Sequence, residues 1–153
     1  MQEIHDNLDI LQNTVPIVTV SATDIVGAEI DLQGCNALEI VWNVGIATGT
    51  LSGSIKTHLL IEVAPDDGTG SAGSFVSIVD AQLLGGDTAS SGIVAIVDAA
   101  AEDPAIFKFG IAVQDAAFRF VRPTIVVTGD PLAPTSVVAI KGRLESMPQG
   151  GIS

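Results

Sequence analysis

The residues that could support covalent catalysis are few. The chain has one cysteine, Cys35, two histidines, His5 and His58, and no tyrosine. A nucleophilic pair needs a thiolate beside an imidazole, and a third group that orients the imidazole. Cys35 lies in the turn-like run 33–36, and His58 lies in the middle of a run of alternating polarity. The sequence therefore predicts a buried or half-buried thiol, a surface histidine and a protein that is not an enzyme.

A glycine-rich segment matches a nucleotide-binding motif in letters only. Residues 68–73 read G-T-G-S-A-G, which fits G-x-G-x-x-G. That motif binds a pyrophosphate at the N-terminus of the helix that follows the glycines. Here residues 75–79 (F-V-S-I-V) follow, and they predict a strand. Asp66 and Asp67 also place negative charge where a phosphate would sit, so nucleotide binding is rejected.

The same two aspartates raise the question of a calcium site. Asp66 and Asp67 precede Gly68, but the twelve-residue spacing of a helix–loop–helix calcium site, with its final glutamate, is absent. Aspartate and glycine are also the usual residues of a hairpin turn. The sequence predicts a turn and no cofactor, with calcium at Asp66 and Asp67 as the disfavoured alternative.

The charge of the chain is strongly negative and unevenly distributed. The net charge is −12, and residues 1–100 carry 13 acidic groups against the single base Lys56. Such a surface repels nucleic acid, so no nucleic-acid partner is expected. The favoured interpretation of this negative charge is that it keeps the protein soluble. The alternative is that the neutral C-terminal third, which carries Arg119, Arg122, Lys141 and Arg143, faces an acidic partner.

Targeting signals are not evident in the sequence. The run 1–6 is polar and acidic, unlike a secretion signal, and no run approaches 18 apolar residues. A single cysteine excludes an internal disulfide. We therefore expect synthesis in a cytoplasm, no membrane partner, and release only as part of a particle.

Hydrophobic residues make up 47% of the chain and only six are aromatic, which favours a β-sheet core of aliphatic side chains. Short runs of alternating polarity, separated by Gly, Asp, Pro and Ser, predict an all-β fold, an antiparallel sandwich of about eight strands. The candidate strands are 15–20, 25–32, 37–44, 50–63, 75–79, 92–97, 106–113, 118–127 and 136–143.

Three positions inside these runs predict local detail. Trp42 shares its parity with Leu38 and Ile40, which predicts a core side chain and not a sugar-stacking platform. Pro123 cannot donate to a sheet ladder, so its strand is expected at an edge or a bend there. Gly27 is expected to mark a bulge.

The N-terminal residues have a second periodicity. Ile4, Leu8 and Leu11 are spaced i, i+4, i+7, which predicts a short helix or an anchored arm over 1–14. Such a segment could lie on its own domain or on a neighbouring subunit. The domain boundaries that follow are an arm at 1–14, a sandwich at 15–145 and a tail at 146–153.

Three segments resemble a class of small virion proteins of tailed bacteriophages. Residues 29–45 are similar to a D-L-Q-G opening followed by alternating apolar residues and V-G. Residues 60–68, with Phe75 and the L-L-G at 83–85, are similar to an L-x-E-S-D-D-G-S-x-F loop. Residues 118–129 are similar to an R-Y-V-R-V-x-V-x-V-T-G strand, with Phe120 in place of tyrosine.

The resemblance implies a jelly-roll-like sandwich and a place in the virion, with head decoration (cement) as the leading role. The implied partner is the major capsid protein on the head surface. A three-fold capsid site would favour a homotrimer. The alternative is a neck, tail or fibre module that binds a host glycan. The predicted arm and the neutral C-terminal third supply the candidate interface residues Ile4, Leu8, Leu11, Arg119, Arg122, Lys141 and Arg143.

Overall fold

The chain forms two antiparallel β-sheets that enclose one apolar core, as the alternating pattern predicts. The computed structural model describes residues 8–35, 37–113 and 118–142. Their strands are β1 (Leu8–Val18), β2 (Ile25–Val26), β3 (Ile30–Asp31), β4 (Ala37–Val44), β5 (Lys56–Ala64), β6 (Val76–Ser77), β7 (Ile93–Val97), β8 (Ala105–Ile111), β9 (Phe120–Thr128) and β10 (Pro134–Gly142). The antiparallel sandwich is confirmed, and the nine candidate runs give ten strands because the 25–32 candidate divides into β2 and β3.

The strand order places β1 at an edge. The four-stranded sheet runs β1-β10-β4-β8, with all pairs antiparallel. In the six-stranded sheet, β5 and β9 are central; the short strands β2 and β3 pair with β9, and β6 and β7 pair with β5. One short 3₁₀ turn, Asp80–Gln82, is the sole helical element among the residues that the structure describes.

Aliphatic side chains from both sheets fill the space between them. The predicted inward set Leu38, Ile40 and Trp42 is confirmed, since each is at most 2% exposed. The Trp42 ring stacks on Phe107 with centroids 5.2 Å apart. Its indole Nε1 donates a 2.7 Å hydrogen bond to Thr135 Oγ1 of β10, which satisfies the one polar atom of the buried ring.

Pro123 does not lie on an edge strand, so the edge alternative of that prediction is wrong, and the bend stays a prediction. Its strand β9 lies between β5 and the two short strands β2 and β3. The carbonyl of Pro123 accepts the N–H of Gly27, which lies in the gap between β2 and β3. The ladder is therefore interrupted on the neighbouring strand, opposite the proline that cannot donate. Gly27 marks this break in the strand and not a simple bulge.

Residues 8–14 form the first part of β1 and not the predicted helix or arm. Leu8 pairs with Gly142, and Leu11 pairs with Ala139 and packs against the core. A helix this short is marginal without a surface to lie on, whereas pairing with β10 supplies a full ladder. The boundary predicted at residue 15 therefore falls inside β1. Ile4, Arg143 and the predicted tail lie outside the described residues.

Candidate interaction surfaces

Among the residues that the structure describes, no hydrogen bond joins Cys35 to His58. Cys35 is buried in the turn after β3, with its Sγ 4.0 Å from the Gln33 carbonyl. His58 is half-buried in β5, and its pKa is lowered first by burial and then by Lys56. Its Nδ1 has no hydrogen-bond partner within the described ranges. His5 lies outside those ranges, so the prediction that the chain is not an enzyme stays a prediction.

The loop after β5 uses its aspartates to hold itself together. Asp66 Oδ1 accepts the N–H groups of Gly68 and Gly70 at 2.7 and 3.0 Å, and Asp67 Oδ1 accepts the N–H of Thr69 at 2.7 Å. The strand β6 follows the glycines, as the sequence predicted. No cluster of three or more potential metal ligands occurs in the described part of the chain.

Arg119 joins this loop to the six-stranded sheet. Its guanidinium donates to Asp31 through Nε at 2.8 Å and Nη2 at 2.7 Å, and to Gln33 at 2.7 Å. It also forms an ion pair with Asp66. We call Arg119, Asp31, Gln33 and Asp66 the Arg119 cluster. The guanidinium is therefore already engaged inside the chain, and a partner contact of Arg119 stays a prediction.

The Arg119 cluster lowers two carboxyl pKa values. Hydrogen bonds from Arg119 hold the pKa of Asp31 below its ordinary value, and the N–H of Gln33 adds to this. The pKa of Asp66 is lowered first by the N–H groups of Gly68 and Gly70 and then by Arg119. Both carboxylates therefore favour the folded state while they are ionised.

We expect acid to destabilise the protein partly through this cluster. A carboxyl whose folded pKa is depressed contributes stability above its unfolded pKa, near 3.8, and loses it as the pH falls toward the folded value. The Tm should therefore fall below about pH 5. Arg119→Met should make that fall shallower, and the control Lys56→Met should not. Equal slopes in all three proteins, measured by thermal unfolding against pH, would contradict this assignment.

Two further predicted interface cations are also paired within the chain. Arg122 bonds to Glu62 at 2.8 Å, with its guanidinium carbon 3.9 Å from the centroid of the Phe75 ring. Lys141 lies 3.4 Å from Asp9. Cross-strand register produces these pairs, since Glu62 is opposite Arg122 and Asp9 is opposite Lys141. Reversing these charges would disturb the fold, so it cannot serve as a clean test of partner binding.

Exposed aliphatic side chains are concentrated at the start of the described chain. Val15, Ile17 and Val18 of β1 and Val20 just after it are all exposed, Val15 to 66%. We call these four residues the β1 edge surface. None of them is charged, although the chain as a whole carries −12. Exposed apolar residues grouped along one edge strand form a candidate interaction site.

The edge strand itself is shaped to discourage continuous strand pairing. The register of β1 against β10 shifts between Gln12 and Thr14, and again between Thr14 and Ile17. Pro16 lies in the second irregularity and has no N–H to donate. Bulges and prolines are common protections of sheet edges. We therefore expect the β1 edge surface to bind through side chains and not as an added strand.

The aromatic residues offer no stacking platform for a sugar. Trp42, Phe109, Phe118 and Phe120 are buried, and Phe107 and Phe75 are half-buried. Glycan recognition by stacking needs an exposed aromatic face. This arrangement disfavours the host-glycan alternative.

The comparisons identify no family. No protein-family model and no curated protein matches the sequence. Among solved structures, the SPBc2 prophage-derived protein YomS is similar over 88% of this chain and 92% of its own, with 7% identity and a TM-score of 0.45. A structure of Bacillus endospore appendages, which form disulfide-linked pili, is similar over 90% of both chains, with 17% identity and a TM-score of 0.36.

A third similar structure comes from infectious bursal disease virus, Gt strain. It covers 88% of this chain and 40% of the viral chain, with 8% identity and a TM-score of 0.30. Two of the three proteins thus come from a prophage and a virus, but scores this low establish no functional relationship. Among the described residues, no helix has the length and apolar character needed to cross a membrane.

Sequence reasoning missed the β1 edge surface as a unit. It assigned Leu8 and Leu11 to an arm, but the structure separates them: Leu8 is 42% exposed, whereas Leu11 packs on the core. The available signal was the uncharged run 10–20. An edge strand of such composition is unusual in an acidic protein.

Proposed function

We propose that this chain is a structural protein of a tailed-phage particle, a head decoration protein that binds the major capsid protein. The observation that carries the proposal is the β1 edge surface, a group of exposed aliphatic side chains along an edge strand of a strongly acidic chain. The sequence resemblance to small virion proteins supports the proposal that the chain is part of a phage particle. The protein works at the outer surface of the head, without a substrate or a cofactor.

The physical properties of the fold suit that role. A decoration protein must hold a binding surface in a fixed shape, and a two-sheet sandwich with a packed aliphatic core does so. The acidic remainder keeps the protein soluble before it binds. On the shell, burial of the β1 edge surface removes apolar area from water, which is the main source of affinity for such contacts.

The direct test replaces two residues of the β1 edge surface with lysine. Burying one valine side chain contributes roughly 1.5–3 kcal/mol, and about 1.4 kcal/mol corresponds to a tenfold change in affinity. Val15→Lys combined with Val20→Lys should therefore weaken binding to heads at least tenfold. The assay adds purified protein to heads that lack it, sediments the heads and counts the bound copies.

Val76→Lys is the matched control, since Val76 is 58% exposed but belongs to the six-stranded sheet. It should bind heads like the unmodified protein. Unweakened binding by the double variant would overturn the assignment of this surface. No binding of the unmodified protein to heads would overturn the decoration role itself.

A further inference from the structure

The outward face of the four-stranded sheet is largely apolar. We call this the outer patch: Ile10, Val41, Ile106, Val138 and Ile140. These side chains alternate along their strands with core residues, so they point away from the core. Ile10 and Ile106 are 65% and 67% exposed. The outer patch shares no residue with the β1 edge surface.

One acid and one base lie among the residues of the outer patch, on the same outward face of the sheet. Glu39 and Lys108 are the charged residues at outward positions of these four strands, and both are exposed. Neither makes an ion pair with any residue that the structure describes. The face is therefore electrically neutral on a chain of net charge −12, and neither of its two charges is paired within the described residues.

The strand register fixes where the two charges lie. Val41 is opposite Lys108, and Glu39 is opposite Gly110. Lys108 is therefore one strand across and two residues along from Glu39. With strands about 4.8 Å apart and about 3.4 Å per residue, their Cα atoms are roughly 8 Å apart along a diagonal. Consider a two-fold axis that lies parallel to this face and crosses the diagonal at its midpoint, at a right angle. Rotation about this axis places Glu39 of one copy opposite Lys108 of the other, and Lys108 opposite Glu39.

We propose that two copies of this chain associate through their outer patches around that two-fold axis. Glu39 of each copy then meets Lys108 of the other, so two opposite-charge contacts form from one acid and one base. A two-fold interface of this kind uses the same patch on both subunits. The occupant is a second copy because the charge pattern is complementary to itself.

The same axis also matches the apolar residues. Register places Ile10 beside Ile140, and Val138 beside Val41. Ile106 lies on the edge strand β8, two residues along from Lys108. Rotation about this axis brings Ile10 and Ile140 opposite Ile106 of the second copy. It brings Val138 close to its own counterpart. Charge and apolar contacts therefore select one arrangement.

A depression at the edge of the outer patch gives the arriving side chains room. It has a volume of about 390 Å³ and is lined by residues 43–45 and 104–106. Ile106 lines this depression. Since Ile10 and Ile140 of the second copy lie opposite Ile106, they lie next to the depression. Filling this largely apolar depression adds buried area at both ends of the two-fold interface.

The test is a charge exchange followed by sedimentation equilibrium of the purified protein. The unmodified protein should be a dimer at high concentration. Glu39→Lys alone and Lys108→Glu alone should each weaken the dimer at least tenfold, because each places like charges together twice. An equimolar mixture of these two variants should restore it, because the mixed pair regains two opposite-charge contacts.

Glu29→Lys is the control, since Glu29 is exposed between β2 and β3 and its change in charge is the same. It should leave the dimer intact. A monomeric unmodified protein, a trimer, or a mixture that fails to associate would each overturn the proposal. Because no particle is present, these outcomes are independent of the head-binding assay, and failure of either proposal leaves the other standing.

Discussion

Replacing Trp42 with alanine is expected to lower the free energy of unfolding by about 4 kcal/mol. The side chain is 0% exposed, stacks on Phe107 and donates its indole N–H to Thr135. Truncation removes the buried ring, leaves a cavity in the core between the two sheets, and leaves Thr135 Oγ1 without its donor. Since whole domains are stable by about 5–15 kcal/mol, this is a large fraction of the total.

Denaturant unfolding measures this effect, with Val41→Ala as the control. Val41 is next to Trp42 in β4 but points outward and is half-buried. At protein concentrations below those of self-association, its loss should cost under about 1.5 kcal/mol. Similar losses for the two variants would show that the sheet does not bury Trp42 as described here.

Gly27→Ala is expected to destabilise the fold by about 2–3 kcal/mol, although it adds a single methyl group. A Cβ at this position would lie 1.9 Å from Asn13 Oδ1 and 2.6 Å from the Pro123 carbonyl oxygen. The Pro123 oxygen belongs to the backbone of β9 and accepts the N–H of Gly27, so relief requires moving a central strand. The cost comes from this close approach and not from a special backbone angle.

Gly53→Ala is the matched control. A Cβ at Gly53 would meet no atom within 4 Å, so its unfolding free energy should stay within about 0.5 kcal/mol of the unmodified protein. Both are read from denaturant unfolding. A Gly27→Ala variant as stable as the control would contradict the placement of the β2–β3 break against β1 and β9.

Local alternation was sufficient to predict much of the sandwich. The 37–44 prediction coincides with β4, and the inward set around Trp42 is confirmed. These strands carry a strict two-residue period, which one buried face imposes. The 50–63 prediction began six residues early because residues 50–55 form a turn closed by Ser52 and Ile55, and short-range patterns do not separate a turn from a strand end.

Features that depend on pairing were not predictable from local pattern. The spacing of Leu8 and Leu11 fits a helix, yet their pairing with β10, more than 120 residues away in sequence, makes them a strand. The position of Pro123 likewise depends on a gap in a neighbouring strand. The engagement of Arg119 with Asp31 and Asp66 requires three separate segments to meet, and no sequence spacing encodes that contact.

The outer patch illustrates the same limit for function. Glu39 and Lys108 are 69 positions apart in sequence and become diagonal neighbours only through the β4–β8 register. The charge split along the sequence pointed instead to Arg119, Arg122 and Lys141, whose charges the fold uses internally. The outer patch could therefore be found only from the exposed face of the folded sheet and not from charge along the sequence.

The most direct test of the structural role is a count of this chain in purified particles of the phage that encodes it, relative to the major capsid protein. The decoration role predicts near-stoichiometric copies on the head, with heads that lack the protein losing integrity at lower temperature. A handful of copies confined to the neck, tail or fibres, or absence from the particle, would contradict it.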